Sequence, residues 1–211
     1  MQSKELFWIF QKFYDEQTCD KIIANTDQFG FGQGTVHHNE LKPDIRDVKV
    51  QPSTLPSIDR DMWNAMCIAN GSANWKLNID YYNPHNIMKY DINGHYEWHQ
   101  DVSYRGEDGA MSFADDTLGV KLMTRDDGPM TGKVRKLSAS LLLNDNFQGG
   151  ELRFAQTWKK SDKELHLEQL SPPLSKGDLI FFESTTFHKV EPVTSGTRYS
   201  AVVWYVGPPA V

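Results

Sequence analysis

The sequence predicts a mainly β chain with N-terminal helices, an α+β arrangement whose core is a two-sheet jelly roll. Three observations carry that prediction. About eight short strand-like runs follow residue 74, each bounded by Asn, Gly, Asp or Pro. Helical periodicity is confined to the part before them. Leu137, Ala139, Leu141 and Leu143 alternate strictly, as one buried face of a strand would. At 211 residues the chain fits a single domain, 1–211. Within it, 1–73 reads as helix and strand support and 74–211 as jelly-roll core with an insertion at 103–134.

The elements follow in order. Residues 6–13 make an aromatic-rich strand candidate. Asp15 is placed to cap a helix over 16–29, with Cys19, Ile22, Ile23 and Thr26 on one side. The Gly- and His-rich 30–39 reads as loop. Ser57 is placed to cap a second helix in which Ile58, Met62, Ala65, Met66 and Ala69 share a face, and Asn70-Gly71 stops it. Strands are expected over 75–82, 87–91 and 95–102, separated by Asn83-Pro84 and Asn93-Gly94. A strand over 137–143 turns through 144–150 and returns over 151–155. Strands over 177–182, 187–190 and 198–206 complete the set, the last two joined by a turn-like 192–196. Segment 103–134 breaks this rhythm with Arg105-Gly106-Glu107-Asp108-Gly109 and Arg125-Asp126-Asp127-Gly128-Pro129. It reads either as a solvated surface insertion or as a lid over a substrate.

Composition narrows the function classes. The net charge is −6 and no purely basic run exceeds two residues, as at Lys159-Lys160, so a nucleic-acid partner is disfavoured. No stretch approaches the length of a membrane span, and the first ten residues lack a signal-peptide pattern. A cytoplasmic location is therefore expected, with Cys19 and Cys67 as free, buried thiols.

The chemistry is concentrated around His99-Gln100-Asp101. Residues at i and i+2 of a strand point to one face, so an imidazole and a carboxylate would reach one point in space. His188 would supply a second imidazole. Two histidines and one carboxylate leave coordination positions open and suit non-heme Fe(II) oxygenases. Arg198, ten positions after His188, is placed to hold the far carboxylate of a small dicarboxylic co-substrate. The bland alternatives are a hydrogen-bonded core histidine at 99 and a strand-end cap at 101. His95 reads as a turn residue, and His37 and His38 point opposite ways. His85 and His166 read as surface residues. Gly149-Gly150 reads as a hairpin device without chemistry.

Five segments line up in order: Tyr90-Asp91-Ile92-Asn93-Gly94-His95-Tyr96-Glu97-Trp98-His99-Gln100-Asp101, then 135–144, then Phe147-Gln148-Gly149-Gly150-Glu151-Leu152-Arg153-Phe154, then Lys176-Gly177-Asp178-Leu179-Ile180-Phe181-Phe182, and last His188 through Ser200. Over about residues 75–206 this series resembles the 2-oxoglutarate- and Fe(II)-dependent dioxygenases, specifically the prolyl 4-hydroxylase-like branch with bacterial and viral members. The resemblance implies a double-stranded β-helix with the metal near its open end. It implies His99, Asp101 and His188 as metal ligands and Arg198 as anchor for the distal carboxylate of 2-oxoglutarate. Arginine suits that task because its planar fork binds a carboxylate bidentately. Tyr90 matches a co-substrate tyrosine and Trp204 a neighbouring tryptophan, against plain core packing for both. Independently of the family, Arg198, Ser200, Val202 and Trp204 alternate onto one strand face.

The function so implied is hydroxylation of an unactivated C–H bond using Fe(II), 2-oxoglutarate and O2, with ascorbate binding part of the same expectation. The favoured substrate is a prolyl residue in a peptide or protein, and Arg105 and Arg125 are candidate substrate contacts. A free amino acid or other small molecule is the alternative within the class. Outside it stands a non-catalytic, cupin-like metal- or ligand-binding protein. A halogenase is disfavoured because Asp101 is a carboxylate. A nucleic-acid demethylase is disfavoured because Trp204 stands where that branch has a second arginine.

Overall fold

A computed structural model describes residues 3–35, 41–52, 55–102, 104–105, 111–112, 121–122, 128–161 and 164–209. The chain opens with β1 (Phe7–Phe10), α1 (Glu16–Asp27), β2 (Gly32–Gln33), β3 (Arg46–Asp47), β4 (Lys49–Pro52) and α2 (Pro56–Ser72). It continues with β5 (Tyr81–Tyr90), β6 (His95–His99) and three short strands, β7 (Tyr104–Arg105), β8 (Met111–Ser112) and β9 (Lys121–Leu122). Then come β10 (Val134–Leu142), β11 (Phe147–Gly149), β12 (Leu152–Ser161), β13 (Glu164–Leu170), β14 (Leu179–Glu183), β15 (His188–Val190), β16 (Val193–Gly196) and β17 (Arg198–Gly207).

Every strand pairing is antiparallel. A seven-stranded sheet runs β1-β14-β10-β17-β5-β4-β2, and a five-stranded sheet runs β13-β12-β15-β6-β3. The fold is a double-stranded β-helix. One apolar cluster fills the space between the sheets, with Met88 and Tyr90 from β5, Phe154 from β12, Phe182 from β14 and Val190 from β15. A second cluster lies on the other face of the large sheet, where both helices pack. There Ile58, Met62, Ala65, Met66 and Ala69 of α2, the face the periodicity predicts, meet Leu137, Ala139 and Leu141 of β10. Asp15 caps α1 by accepting from the Thr18 N–H at 2.7 Å.

Tertiary pairing altered several expected elements. Ser57 does not cap α2; the helix begins two residues earlier than that cap implies, behind Leu55, with Pro56 in its first turn, where a missing N–H costs nothing. Residues 75–80 form no strand, and Asn83-Pro84 lies inside β5 rather than between two strands. β4 ends opposite Asn86, and the register against β17 shifts between Val202 and Trp204, so the proline sits beside a bulge. The segment 192–196 is more than a turn, because β16 pairs with β11. β13 lacked a sequence expectation; it is an edge strand, and edges carry charges that mask a strand pattern. The insertion contributes the small sheet β8-β7-β9. Cys67 is exposed rather than buried, and Cys19 is buried as expected. His85 is fully buried rather than superficial: its Nδ1 lies 2.6 Å from Asp59 of α2.

Candidate metal centre

His99 ends β6 and His188 begins β15, and the two stand directly opposite each other in the antiparallel register. Their ring centroids are 4.2 Å apart. The chain leaves the sheet immediately after His99, so Asp101 does not share a strand face with it as the spacing suggests. Instead the Asp101 N–H donates to the Ser184 carbonyl at 2.9 Å, and this bend delivers the carboxylate to both imidazoles. His99 Nε2 lies 3.7 Å from Asp101 Oδ1, and His188 Nε2 lies 3.6 Å from Oδ2.

Both imidazoles are oriented the same way. His99 Nδ1 bonds the Glu97 carbonyl at 2.7 Å, and His188 Nδ1 bonds the Thr186 carbonyl at 2.9 Å. A carbonyl accepts only, so each Nδ1 carries a proton, and it is the Nε2 of each ring that turns inward, with a lone pair to offer in the neutral tautomer. The three donor atoms lie within 4.8 Å of one another, the only such cluster among the described residues. Neutral imidazoles, an ionised carboxylate and inward-facing lone pairs fit a divalent ion with positions left open. Burial pushes His99 well below the usual histidine range, and the neighbouring His188 and Arg46 push the same way. Burial works against the Asp101 carboxylate. His188, His99, Arg135 and the Ser138 hydrogen bond nonetheless hold it below the usual carboxylate range.

The carboxylate is supported from the opposite sheet. Ser138 of β10 donates to Asp101 Oδ2 at 2.6 Å and lies 2.9 Å from the Ser184 hydroxyl, with both serines fully buried. Arg135 donates to the Asp101 carbonyl at 3.2 Å.

Arg198, Ser200, Val202 and Trp204 line one cavity with the three donors, as strand alternation predicts. Tyr199, Ala201, Val203 and Tyr205 face the helices. Arg198 is 3% exposed, donates to Ser200 Oγ at 3.0 Å and stands 5.4 Å over the Tyr90 ring. No carboxylate pairs with it among the described residues, and burial lowers its pKa. Tyr90, its partner in register, is pushed up by burial against the pull of Arg198 and Arg46. Trp204 offers a buried Nε1 without a hydrogen-bond partner, and the Arg135 guanidinium covers its ring at 4.1 Å. The cavity encloses about 50 Å³.

The structure therefore brings together His99, Asp101, His188, Arg198, Tyr90 and Trp204. Arg125 and the Arg105 side chain lie outside the described residues. Tyr96 and Arg46 also line the cavity and were not expected there. Strict alternation puts residues 96 and 99 on opposite faces. In β6, however, three steps from Tyr96 to His99 match two steps on β15, and this bulge turns both inward. The Tyr96 ring consequently stacks on His99 with centroids 3.5 Å apart. Gly150 also bears on the site. At φ +67° it occupies the left-handed region, and a Cβ there would stand 3.0 Å from Arg198 Cδ.

Comparison with known proteins bears on the family and the fold. The family model for the 2OG-Fe(II) oxygenase superfamily matches residues 85–206. A PKHD-type hydroxylase of Shewanella sp. (strain ANA-3) is 42% identical over 76 residues, 35% of this chain and 30% of that protein. The match thus spans under a third of that curated relative. Among solved structures, a Pseudomonas putida prolyl-4-hydroxylase superposes with a TM-score of 0.60 at 18% identity, covering 97% of this chain and 94% of that one. A viral collagen prolyl hydroxylase from Paramecium Bursaria Chlorella virus-1, solved as a 2OG complex, gives 0.60 at 20% identity over 96% and 97%.

Proposed function

Because the chain belongs to the 2OG-Fe(II) oxygenase superfamily, we propose that it is a dioxygenase that hydroxylates an unactivated C–H bond, with a prolyl residue of a peptide or protein as substrate. The observation that carries the reading is the pairing, in one cavity, of a His99-Asp101-His188 cluster with a buried arginine that has no countercharge among the described residues. A buried cation without a partner is unfavourable by itself and becomes favourable when an anion fills the space beside it.

In this reading His99, Asp101 and His188 hold Fe(II), and Arg198 receives the distal carboxylate of 2-oxoglutarate, with Ser200 fixing the guanidinium fork. When bound, the metal and co-substrate supply oxygen activation coupled to decarboxylation to succinate. The chain supplies the rest. The carbonyls of Glu97 and Thr186 lock the imidazole tautomers, Ser138 aims the carboxylate, and Trp204 and Val202 wall the cavity against water. The prolyl assignment draws support from the names of the structural neighbours, and the small-molecule alternative is a competing substrate of the same machinery. Free Cys19 and Cys67 suit a reducing compartment. Among the described residues no helix is long and apolar enough to cross a membrane.

The test is anaerobic titration with Fe(II) and 2-oxoglutarate. Aerobic incubation with proline-containing peptides and with free proline follows, reading succinate and the gain of one oxygen atom by mass spectrometry. Succinate formation with oxygen on peptidyl proline is expected. Oxygen on free proline alone would leave the dioxygenase and move the substrate. No 2-oxoglutarate binding would overturn the reading. Omitting ascorbate from the same assay reads its requirement.

A further inference from the structure

Arg46 of β3 lines the same cavity from the edge of the smaller sheet, across from Arg198. The fold constructs its position. The guanidinium stands 4.7 Å over the Tyr96 ring, which itself stacks on the candidate ligand His99. One terminal nitrogen donates to the Thr35 carbonyl, and the other approaches Met88 Sδ at 4.0 Å. At Gly34 a Cβ would come within 3.2 Å of Arg46 Nε, so the glycine leaves room for it. Despite this setting, Nε is buried without a hydrogen-bond partner, and no carboxylate pairs with the side chain among the described residues.

The charge balance of the cavity gives this a direction. Among the described residues Asp101 is its one acidic lining residue, and Arg46 and Arg198 are its two cations. A divalent metal on the triad and a dianionic co-substrate on Arg198 cancel each other. The lining then retains one net positive charge, at Arg46. We propose that Arg46 is a specificity-determining residue that receives a carboxylate of the substrate. That carboxylate is either the α-carboxylate of the residue hydroxylated, in a free amino acid or at a C-terminus, or an acidic side chain beside it. The inference rests on the dioxygenase reading for what fills the remainder of the cavity. Arginine suits the task because it keeps its charge when partly desolvated and offers a planar donor edge.

The test compares wild type with Arg46→Gln and Arg46→Lys. Hydroxylation is followed on four substrates: an amidated peptide with internal proline and neutral neighbours, the same peptide with an adjacent glutamate, a peptide ending in proline with a free carboxylate, and free proline. Wild type is expected to show at least a ten-fold lower KM for a carboxylate-bearing substrate than for the neutral peptide. The substrate favoured identifies the source of the carboxylate. Arg46→Gln is expected to lose that preference with the KM for 2-oxoglutarate unchanged, and Arg46→Lys to keep part of it. A second readout needs no turnover: calorimetric binding of N-acetylglycine against N-acetylglycinamide to the Mn(II)- and 2-oxoglutarate-loaded protein. The carboxylate is expected to bind at least ten-fold tighter to wild type and equally with the amide to Arg46→Gln. Failure of N-acetylglycine to bind better than its amide, or a preference that survives in Arg46→Gln, overturns the proposal. So does a fall in 2-oxoglutarate affinity with substrate preference intact. If Arg46 discriminates the probes while no prolyl substrate is hydroxylated, the inference stands and the prolyl reading falls.

Discussion

The Ser138 hydroxyl donates to Asp101 Oδ2 at 2.6 Å, joining the seven-stranded sheet to a carboxylate carried beyond the last residue of a strand in the other sheet. Ser138 is fully buried, so water cannot replace it. Ser138→Ala is expected to weaken divalent-metal affinity by roughly 10–100-fold, the usual effect of removing a hydrogen bond that orients a ligand. Calorimetric titration with Mn(II) checks this, with the melting temperature of the metal-free protein as control. An unchanged affinity would show that the bend after His99 orients Asp101 unaided.

His99→Ala, Asp101→Ala and His188→Ala are each expected to abolish turnover while the protein stays folded. The apolar clusters on both faces of the large sheet do not include these side chains. Succinate release and a thermal melt of each variant provide the check. Normal turnover in any one of them would remove that residue from the metal site.

Arg198→Met should separate binding from stability. Loss of a desolvated charge partner weakens 2-oxoglutarate binding by roughly 2–5 kcal/mol, a rise in KM of at least about 30-fold. The protein without co-substrate should melt no lower than wild type, because the change removes a buried guanidinium that has no countercharge among the described residues. KM determination and differential scanning calorimetry test both halves. An unchanged KM would place the anchor elsewhere.

Acid is expected to destabilise the metal-free protein in two stages. His99 has a folded pKa well below its ordinary 6.5, so below that pH the unfolded chain takes up a proton that the folded chain refuses. Stability therefore declines as pH falls from about 6.5. Asp101 is shifted below its ordinary 3.8, so it contributes stability above that pH and loses it as pH falls through the lower folded value. Urea unfolding across pH 3–7 measures the slope. His99→Gln should flatten the upper stage; an unaltered slope would assign it to another group.

The helical faces and the inward face of β17 were legible because each is a periodicity within one element. Ile58, Met62, Ala65, Met66 and Ala69 of α2 recur at helical spacing, and Arg198, Ser200, Val202 and Trp204 at strand spacing. His99 and Asp101 were legible for a reason that only partly holds. They do converge, but through a bend tied to Ser184 rather than along a strand. Asn83-Pro84 misled for a related reason, since a bulge against β17 keeps it inside β5.

What the sequence by itself determined is the donor set: which side chains carry lone pairs and charge, in what order, and which face each takes where a strand stays regular. Only the tertiary structure decided which of them meet. Tyr96 turns inward because β15 imposes a bulge on β6, Arg46 arrives because β3 pairs at that strand's other edge, and Ser138 reaches Asp101 from the opposite sheet. The physical reason is that local periodicity fixes direction only along one element. Register shifts and contacts between sheets are set by pairing partners far away in the chain, whose combined hydrogen bonding and burial select one alignment.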